Sequence, residues 1–474
     1  MLKTLLMLAL TALGIGGCLA VSPFWGVAVY YLFAVLRPQF LWAYSLPDVA
    51  WSYYVAVAAM LTTFIWRFGV VLAPQRSRGF RAPAFNVGHT AIMFFAFWVT
   101  VTYYNAISRR AAQFYYEEYM KNFIMFFVAA LVVTSVRQLW ILYLIITCSL
   151  CWIAYDVNDI YFFHGGYLLI YHRGYAGLDN NGAGLMLAMG APMALFAWDG
   201  IRHWIRWAFL LCIPLIVHGV LTSYSRGAML SLIVSIPIYF IRARHKKQFA
   251  LILLGIGLLI PVLAGKEIQD RFFSIEKSEQ DDSAQSRLTT WGIGWQMAQE
   301  RPVFGFGIRN SNLYTRQYGA DMEGRTIHSQ YLQIAADSGL VGLASYLLVI
   351  VAFLICLRRV RYRMQGHRGI VQSLISFGAL IFLRRWRHHE NPGRSDTEID
   401  HAYTIANGIE GAMLIFCFGS LFLSLETFEL PYLFFLMAAQ LWAVVKLSDS
   451  AQIEPGVLTP PPDTTCPEPT RMSA

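Results

Sequence analysis

Three side chains far apart in the chain are of types that could do chemistry together: His328 in GRTIHSQYL, Arg226 in YSRGAML and Arg287 in AQSRLTTW. The segment HSQYLQIAADSG (328–339) reads as a helix, which puts His328 in its first turn. The positive end of a helix dipole disfavours imidazolium, so the ring is expected to stay neutral near pH 7. A neutral imidazole can take a proton from a hydroxyl as a general base. Arg226 stands at the start of another helix, where an anion is favoured and a cation is not, and Gly227 beside it permits close backbone approach. Arg287 opens a third helix after the acidic run EQDDSAQS. Guanidinium groups bind phosphate oxygens bidentately and never lose their charge, so the pair suits a diphosphate. The plainer readings are a solvated histidine, an arginine snorkelling to lipid phosphates, and an Arg287 ion pair with Asp281 or Asp282.

Other candidates are weaker. Asp179, Asn180 and Asn181 in GLDNNGAG could grip sugar hydroxyls or merely cap a helix, the plainer reading. Tyr331 and Asp337 complete the candidate substrate-binding set. His218, in LIVHGVL, reads as a packed histidine within an apolar block. Cys148 and Cys151 form a CxxC, but inside LIITCSLCWIAY, where small side chains pack helices. No cluster has metal-ligand spacing, and Asp281, Asp282, Asp321 and Glu323 lack the close pairing that holds a divalent ion to a diphosphate. A metal-independent reaction with no cofactor is expected, the arginines taking the electrostatic role.

The elements that must position these groups follow from composition. Of 474 residues, 57% are hydrophobic and only 14% charged, against roughly 25% charged in an ordinary soluble domain. The apolar residues fall into blocks of about 15 to 22, the length that spans a bilayer as a helix. Such blocks lie near 49–72, 87–105, 118–135, 139–156, 183–199, 204–222, 226–242, 249–265, 339–357, 405–424 and 429–446. The expected fold is an all-α, polytopic transmembrane bundle. The net charge of +9 is then no sign of nucleic acid. Basic residues gather in QRSRGFR (75–81), RARHKK (242–247) and LRRVRYR (357–363), which the positive-inside rule places in the cytoplasm. Counting spans outward puts 106–121, 157–182, 266–338 and 425–429 on the opposite face, and all three chemical residues with them.

The stretch GIVQSLISFGALIF (369–382), basic on both flanks, is expected to lie along the cytoplasmic surface. The N-terminal 36 residues hold two apolar runs, 4–21 and 24–36. As two spans they put the N-terminus outside; as one broken span with a re-entrant piece they put it inside, beside Lys3. The second reading gives about twelve crossings, with both ends cytoplasmic. IGGC (15–18) has the look of a lipoprotein cleavage site but reads as part of an uncleaved first span. The organisation is thus an N-terminal bundle (1–265), an external loop carrying the chemical segment (266–338), C-terminal spans (339–446) and a Pro- and Thr-rich disordered tail (447–474). The loop is too short for an independent core and should fold against the bundle. Within it SRLTTWGIGWQMAQERP (286–302) reads as a helix capped by Ser286 and closed by Pro302, with Leu288, Trp291, Trp295 and Ala298 as its apolar stripe.

Three stretches, TSYSRGAMLSL (222–232), SRLTTWGIGWQMAQERPVFGFG and HSQYLQIAADSGLVGL (328–343), resemble the O-antigen ligase and polymerase superfamily. PFWGVAVYYLFAVLRPQFLW and GLDNNGAG are also similar to its exosortase A-associated O-glycosylation ligases, a branch close to the lipopolysaccharide O-antigen ligases. The resemblance implies a bacterial inner-membrane glycosyltransferase with its site facing the periplasm. Its donor would be an undecaprenyl-diphosphate-linked glycan, its acceptor a hydroxyl on lipid A-core or protein, and its partners also the membrane lipids. The implied reaction is inverting, with His328 as base and Arg226 and Arg287 on the diphosphate. Where relatives often carry Glu, this chain has Asp337, a shorter arm. A polymerase extending lipid-linked chains, a transporter of such lipids, and a structural subunit of a secretion complex are the competing readings.

Overall fold

The computed structural model describes residues 2–42, 45–46, 49–72, 85–166, 169–243, 245–258, 282–365 and 396–453. The expected surface segment 369–382, the basic loop 75–81 and the tail from 454 lie outside them. The N-terminal helices are α1 (Leu2–Ala20), α2 (Phe24–Leu36), α3 (Trp51–Leu72), α4 (Val87–Tyr104), α5 (Arg109–Val132) and α6 (Val136–Phe163). A short α7 (Leu169–Arg173) leads to α8 (Asn180–Gly200), α9 (Arg206–Thr222), α10 (Arg226–Arg242) and α11 (246–258). Then come α12 (Asp282–Glu300), α13 (Gln330–Gln365), α14 (Asp396–Gly419) and α15 (Glu429–Ile453). Among the described residues the only β feature is an isolated bridge, Tyr175–Leu178. Among the described residues seven helices, α1, α4, α6, α8, α13, α14 and α15, are long and apolar enough to cross a membrane. The chain is an all-α polytopic membrane protein.

Short polar residues end the apolar blocks and cap the helices. Ser108 starts α5, Ser135 starts α6, Asp179 starts α8 and Ser225 starts α10, each accepting a bond from a first-turn N–H that has no intrahelical partner. The centre of the bundle is α8, 94% of whose span is buried. Its sequence, NNGAGLMLAMGAPMALFAWDG, is apolar on every side, as a helix surrounded by others must be. It packs against α6, α9, α10 and α14, so the N- and C-terminal helices form one bundle.

The connections sort into two ends. At one end, Ile107 N donates to Phe306 O at 3.1 Å, Asn310 Nδ2 to Ser108 O at 3.1 Å and Gln330 N to Ser420 O at 2.9 Å. The 105–108, 169–179, 223–225, 301–329 and 420–428 segments meet there. Toward the other end lie the ion pairs Arg202–Asp400 and His245–Asp199, both 2.8 Å, and Glu410 shared by Arg361 and Arg242. The basic stretches beginning at 242 and 357 are therefore remote from the external loop, as the span count requires.

The N-terminus departs from the expectation of both ends on one face. Helices α1 and α2 are two full antiparallel helices. Their contact is built on small residues: a Cβ on Gly26 would stand 2.2 Å from Cys18 Sγ, and one on Gly17 2.7 Å from Trp25 Cβ. This hairpin returns the N-terminus to the loop end, where Thr4 Oγ1 donates to Ser45 O at 3.0 Å and Lys3 lies over the Trp42 ring. The segment SPF is short, but it suffices for a tight helix-to-helix turn. The end of α15 lies at the opposite end of the bundle. Reporters fused before Lys3 and inserted at 323–324 should therefore read the same side of the membrane, and one fused after Ile453 the other. Matching N- and C-terminal readings would contradict the hairpin.

Candidate functional site

The site begins where α8 and α10 start side by side. Asp179 Oδ1 accepts from Gly182 N at 2.7 Å, and Ser225 Oγ accepts from Ala228 N at 3.3 Å. The Ser225 hydroxyl donates to Asn181 Oδ1 at 2.9 Å, Asn181 Nδ2 donates to Asn180 Oδ1 at 3.2 Å, and Asn180 Nδ2 donates to Ser223 O at 3.1 Å. This relay laces the α9–α10 turn to the head of α8. The turn packs closely on Gly184, where a Cβ would stand 2.4 Å from Ser223 Oγ. At Gly227 a Cβ would make ordinary contact with Phe422 at 3.5 Å, so the close approach expected of Gly227 belongs to Gly184. Arg226 is the first residue of α10, as the sequence implied.

Arg287 reaches the same place from α12. That helix is already formed at Asp282, so Ser286 is inside it and accepts a hydrogen bond from Arg325 instead of capping. Arg287 therefore does not open the helix. The expected stripe also splits. Leu288 and Trp295 are 58% and 46% exposed, while Thr290, Ile293, Met297 and Ala298 are buried. The cause is Ile327, whose side chain lies against Gly294 and selects the face beside it. Ile293, Met297, Phe306, Ala320, Ile327 and Ala336 make a small core of the loop's own, more than its length suggested.

Arg226 and Arg287 open into one cleft of about 460 Å³, lined also by Tyr171, His172, Asn180, Asn181 and Tyr224. His328 is not in its wall; it stands beside it, close enough to Arg287 and Asp179 for both charges to act on the ring. Nor is it in the first turn of its helix, since α13 begins at Gln330. Its φ is +55°, a left-handed backbone that costs a non-glycine residue roughly 1–2 kcal/mol. Neighbours hold it there. Thr290 Oγ1 donates to Ile327 O at 3.1 Å, Trp291 Nε1 to His328 O at 3.3 Å, and Gln330 N is fixed to Ser420 O. Burial pushes the His328 pKa below its ordinary value, and Arg287 and then Arg325 push the same way against the pull of Asp179. Burial and two cations therefore favour the neutral ring, in place of the helix dipole invoked from the sequence.

A second cluster clamps the loop to the bundle. Arg309 Nη2 donates to Ser424 O at 3.2 Å, its guanidinium is 3.8 Å from Glu426, and Asp337 is close by. One cation faces two buried carboxyls. Glu426 is pushed up to about 8 by burial, against the pull of Arg309 and with the charge of Asp337 adding to the rise. With one cation between two buried carboxyls, a proton held by one of them leaves the cluster neutral.

Asp337 is spent in this clamp. Its carboxylate accepts from Ser311 N at 3.1 Å and Gln333 Nε2 at 2.9 Å, and its peptide carbonyl from Gly307 N at 2.8 Å. Two residues on, Gly339 (φ +73°) turns α13 toward its span where a Cβ would meet Val303 O at 2.2 Å. Tyr331 donates to Cys417 O at 2.8 Å, deep against α14. Of the residues read from sequence, the structure thus brings Arg226, Arg287, Asn180 and Asn181 into the cleft wall and His328 beside it. Tyr331 and Asp337 are not brought there, because packing needs their polar groups. His218 is buried, with Nδ1 2.6 Å from Asn158 Oδ1. Sequence reasoning passed over Tyr171, His172, Tyr224, Arg309, Arg325 and Glu426. The glycine-punctuated break YHRGYAGL between two apolar blocks was the available signal for the first two.

Residues 211–347 match the family model described as O-Antigen ligase (Wzy_C). Over that stretch, somewhat under a third of its length, the chain is similar to the O-antigen ligase family. The matched segment contains Arg226, Arg287 and His328, so the motifs that carried the resemblance lie inside it. No curated protein matches the chain.

The electrostatics of the site make a direct prediction. Arg325→Gln removes a cation that disfavours imidazolium, so the His328 pKa should rise and its titration move to higher pH. The pH dependence of diethyl pyrocarbonate modification at His328, read by mass spectrometry, measures it. An unmoved or lowered midpoint would contradict the assignment.

Proposed function

We propose that this protein is a membrane glycosyltransferase that moves a glycan from undecaprenyl diphosphate to an acceptor hydroxyl, on lipid A-core or protein, at the periplasmic face of the bacterial inner membrane. The observation that carries the reading is the cleft holding Arg226 and Arg287 with a neutral His328 at its edge. The O-antigen ligase match and the bundle of apolar helices support it. The donor's lipid tail lies among the helices and its diphosphate meets the two guanidinium groups. Their charge is placed where negative charge develops as the diphosphate departs, which lowers the barrier without rearrangement during the reaction. The acceptor hydroxyl attacks the anomeric carbon from the face opposite the diphosphate, inverting it, and gives its proton to His328. The site end of the bundle is the periplasmic one, opposite the basic stretches.

A transporter would use the same arginines but no base. With purified protein, glycan-bearing undecaprenyl diphosphate and acceptor, His328→Ala should cost roughly 10²–10⁴-fold in transfer rate while donor binding persists. Undiminished transfer removes His328 from the mechanism. Conjugates on a new acceptor identify ligation, whereas a ladder still attached to undecaprenyl diphosphate identifies a polymerase.

A further inference from the structure

The cleft is larger and chemically more varied than a diphosphate requires. A diphosphate has about nine heavy atoms, which fill about 270 Å³ even at a water's share of roughly 30 Å³ each; the cleft holds about 460 Å³. The remaining wall is not cationic. It consists of the rings of Tyr171 and Tyr224, whose centroids are 5.1 Å apart, with His172 and the amides of Asn180 and Asn181. Each amide NH₂ makes one bond within the relay and keeps a second hydrogen.

Both rings are held in place at a cost. Tyr224 has φ +53°, a left-handed conformation that is a genuine outlier for a bulky side chain. Tyr171 is 36% exposed, on a five-residue helix suspended by an over-determined loop. In that loop a Cβ on Gly174 would stand 1.8 Å from Leu178 O, and one on Gly177 2.9 Å from the Phe40 ring. Tyr175 and Leu178 exchange backbone bonds of 2.9 and 3.0 Å, and the Tyr175 hydroxyl donates to Asp156. Such a loop fixes Tyr171 over the cleft and does more than connect α6 to α8.

We propose that Tyr171 and Tyr224 form the seat of the sugar ring attached directly to the lipid diphosphate. The inference rests on the diphosphate reading of Arg226 and Arg287 and extends it to the next group of the donor. The C–H face of a pyranose is apolar and flat enough to lie on an aromatic ring, while its edge hydroxyls accept from the remaining amide hydrogens. Seated there, the anomeric carbon is held between the guanidinium groups and the rings, and the donor cannot swivel about its diphosphate. Because stacking uses the C–H face and not one pattern of hydroxyls, the seat tolerates different sugars of similar ring shape.

The test compares two probes bound to the purified full-length protein in detergent: undecaprenyl diphosphate, and the same lipid carrying one N-acetylglucosamine. Wild-type protein should bind the glycosylated lipid more tightly. Tyr171→Ala and Tyr224→Asn should each lose roughly two- to ten-fold for the glycosylated lipid and little for the bare one. Asparagine tolerates the left-handed backbone, and retained binding of the bare lipid shows that each variant is folded. Tyr224→Phe, which keeps the ring, should behave as wild type. Equal losses for both lipids, or no loss for either, overturn the seat while leaving the diphosphate reading intact. If wild-type protein binds neither lipid, the diphosphate reading fails and the seat fails with it.

Discussion

Two guanidinium groups share one cleft, and that juxtaposition of like charge is the constraint on which the rest of the site depends. Arg226 comes from the head of α10 and Arg287 from a loop helix outside the apolar blocks. Both groups line the cleft, so an arriving polyanion meets two positive charges at once. Arg287 also acts on His328, where with Arg325 it adds to burial in disfavouring the charged ring. Arg287 thus links the cleft to the histidine, and Arg226 belongs to the cleft alone.

Holding the arrangement falls to hydrogen bonds at the turns. The non-glycine residues with positive φ among the described residues are Arg37, Ala176, Tyr224, Arg309 and His328. All belong to segments at the loop end of the bundle. Strained backbone persists only where its surroundings over-determine it, and here they do: the Asn180–Asn181 relay at Tyr224, and Thr290, Trp291 and Gln330 around His328. The Arg309 cluster fastens the whole loop to the 420–428 connection. Arg309 donates to Ser424 O and Gln330 N to Ser420 O, so the docking rests on hydrogen bonds from both ends of the segment.

How much of this was legible in the sequence differs by scale. Helix existence was, because block length and short polar residues such as Ser135, Asp179 and Ser225 are local signals. Arg226 at a helix start was legible for the same reason. The face of α12 was not, since Leu288 and Trp295 fit a helical stripe as well as Thr290 and Met297 do, and only Ile327, packed on Gly294, decides between them. The count also stumbled at the N-terminus, where hydropathy cannot tell a broken span from a tight hairpin and the Cys18–Gly26 contact can. Tyr331 and Asp337 looked chemical because their types are, yet both are committed to packing partners distant in sequence. Tyr171 and Tyr224 looked like ordinary aromatic residues of a membrane protein.

The central claim is that Arg226 and Arg287 together read a diphosphate. The most direct measurement is the affinity of the purified protein for undecaprenyl diphosphate against undecaprenyl monophosphate, repeated with Arg226→Gln and Arg287→Gln. The account predicts that wild-type protein prefers the diphosphate and that neutralising either arginine removes the preference. A wild-type protein indifferent to the second phosphate, or a variant that keeps the full preference, would contradict it.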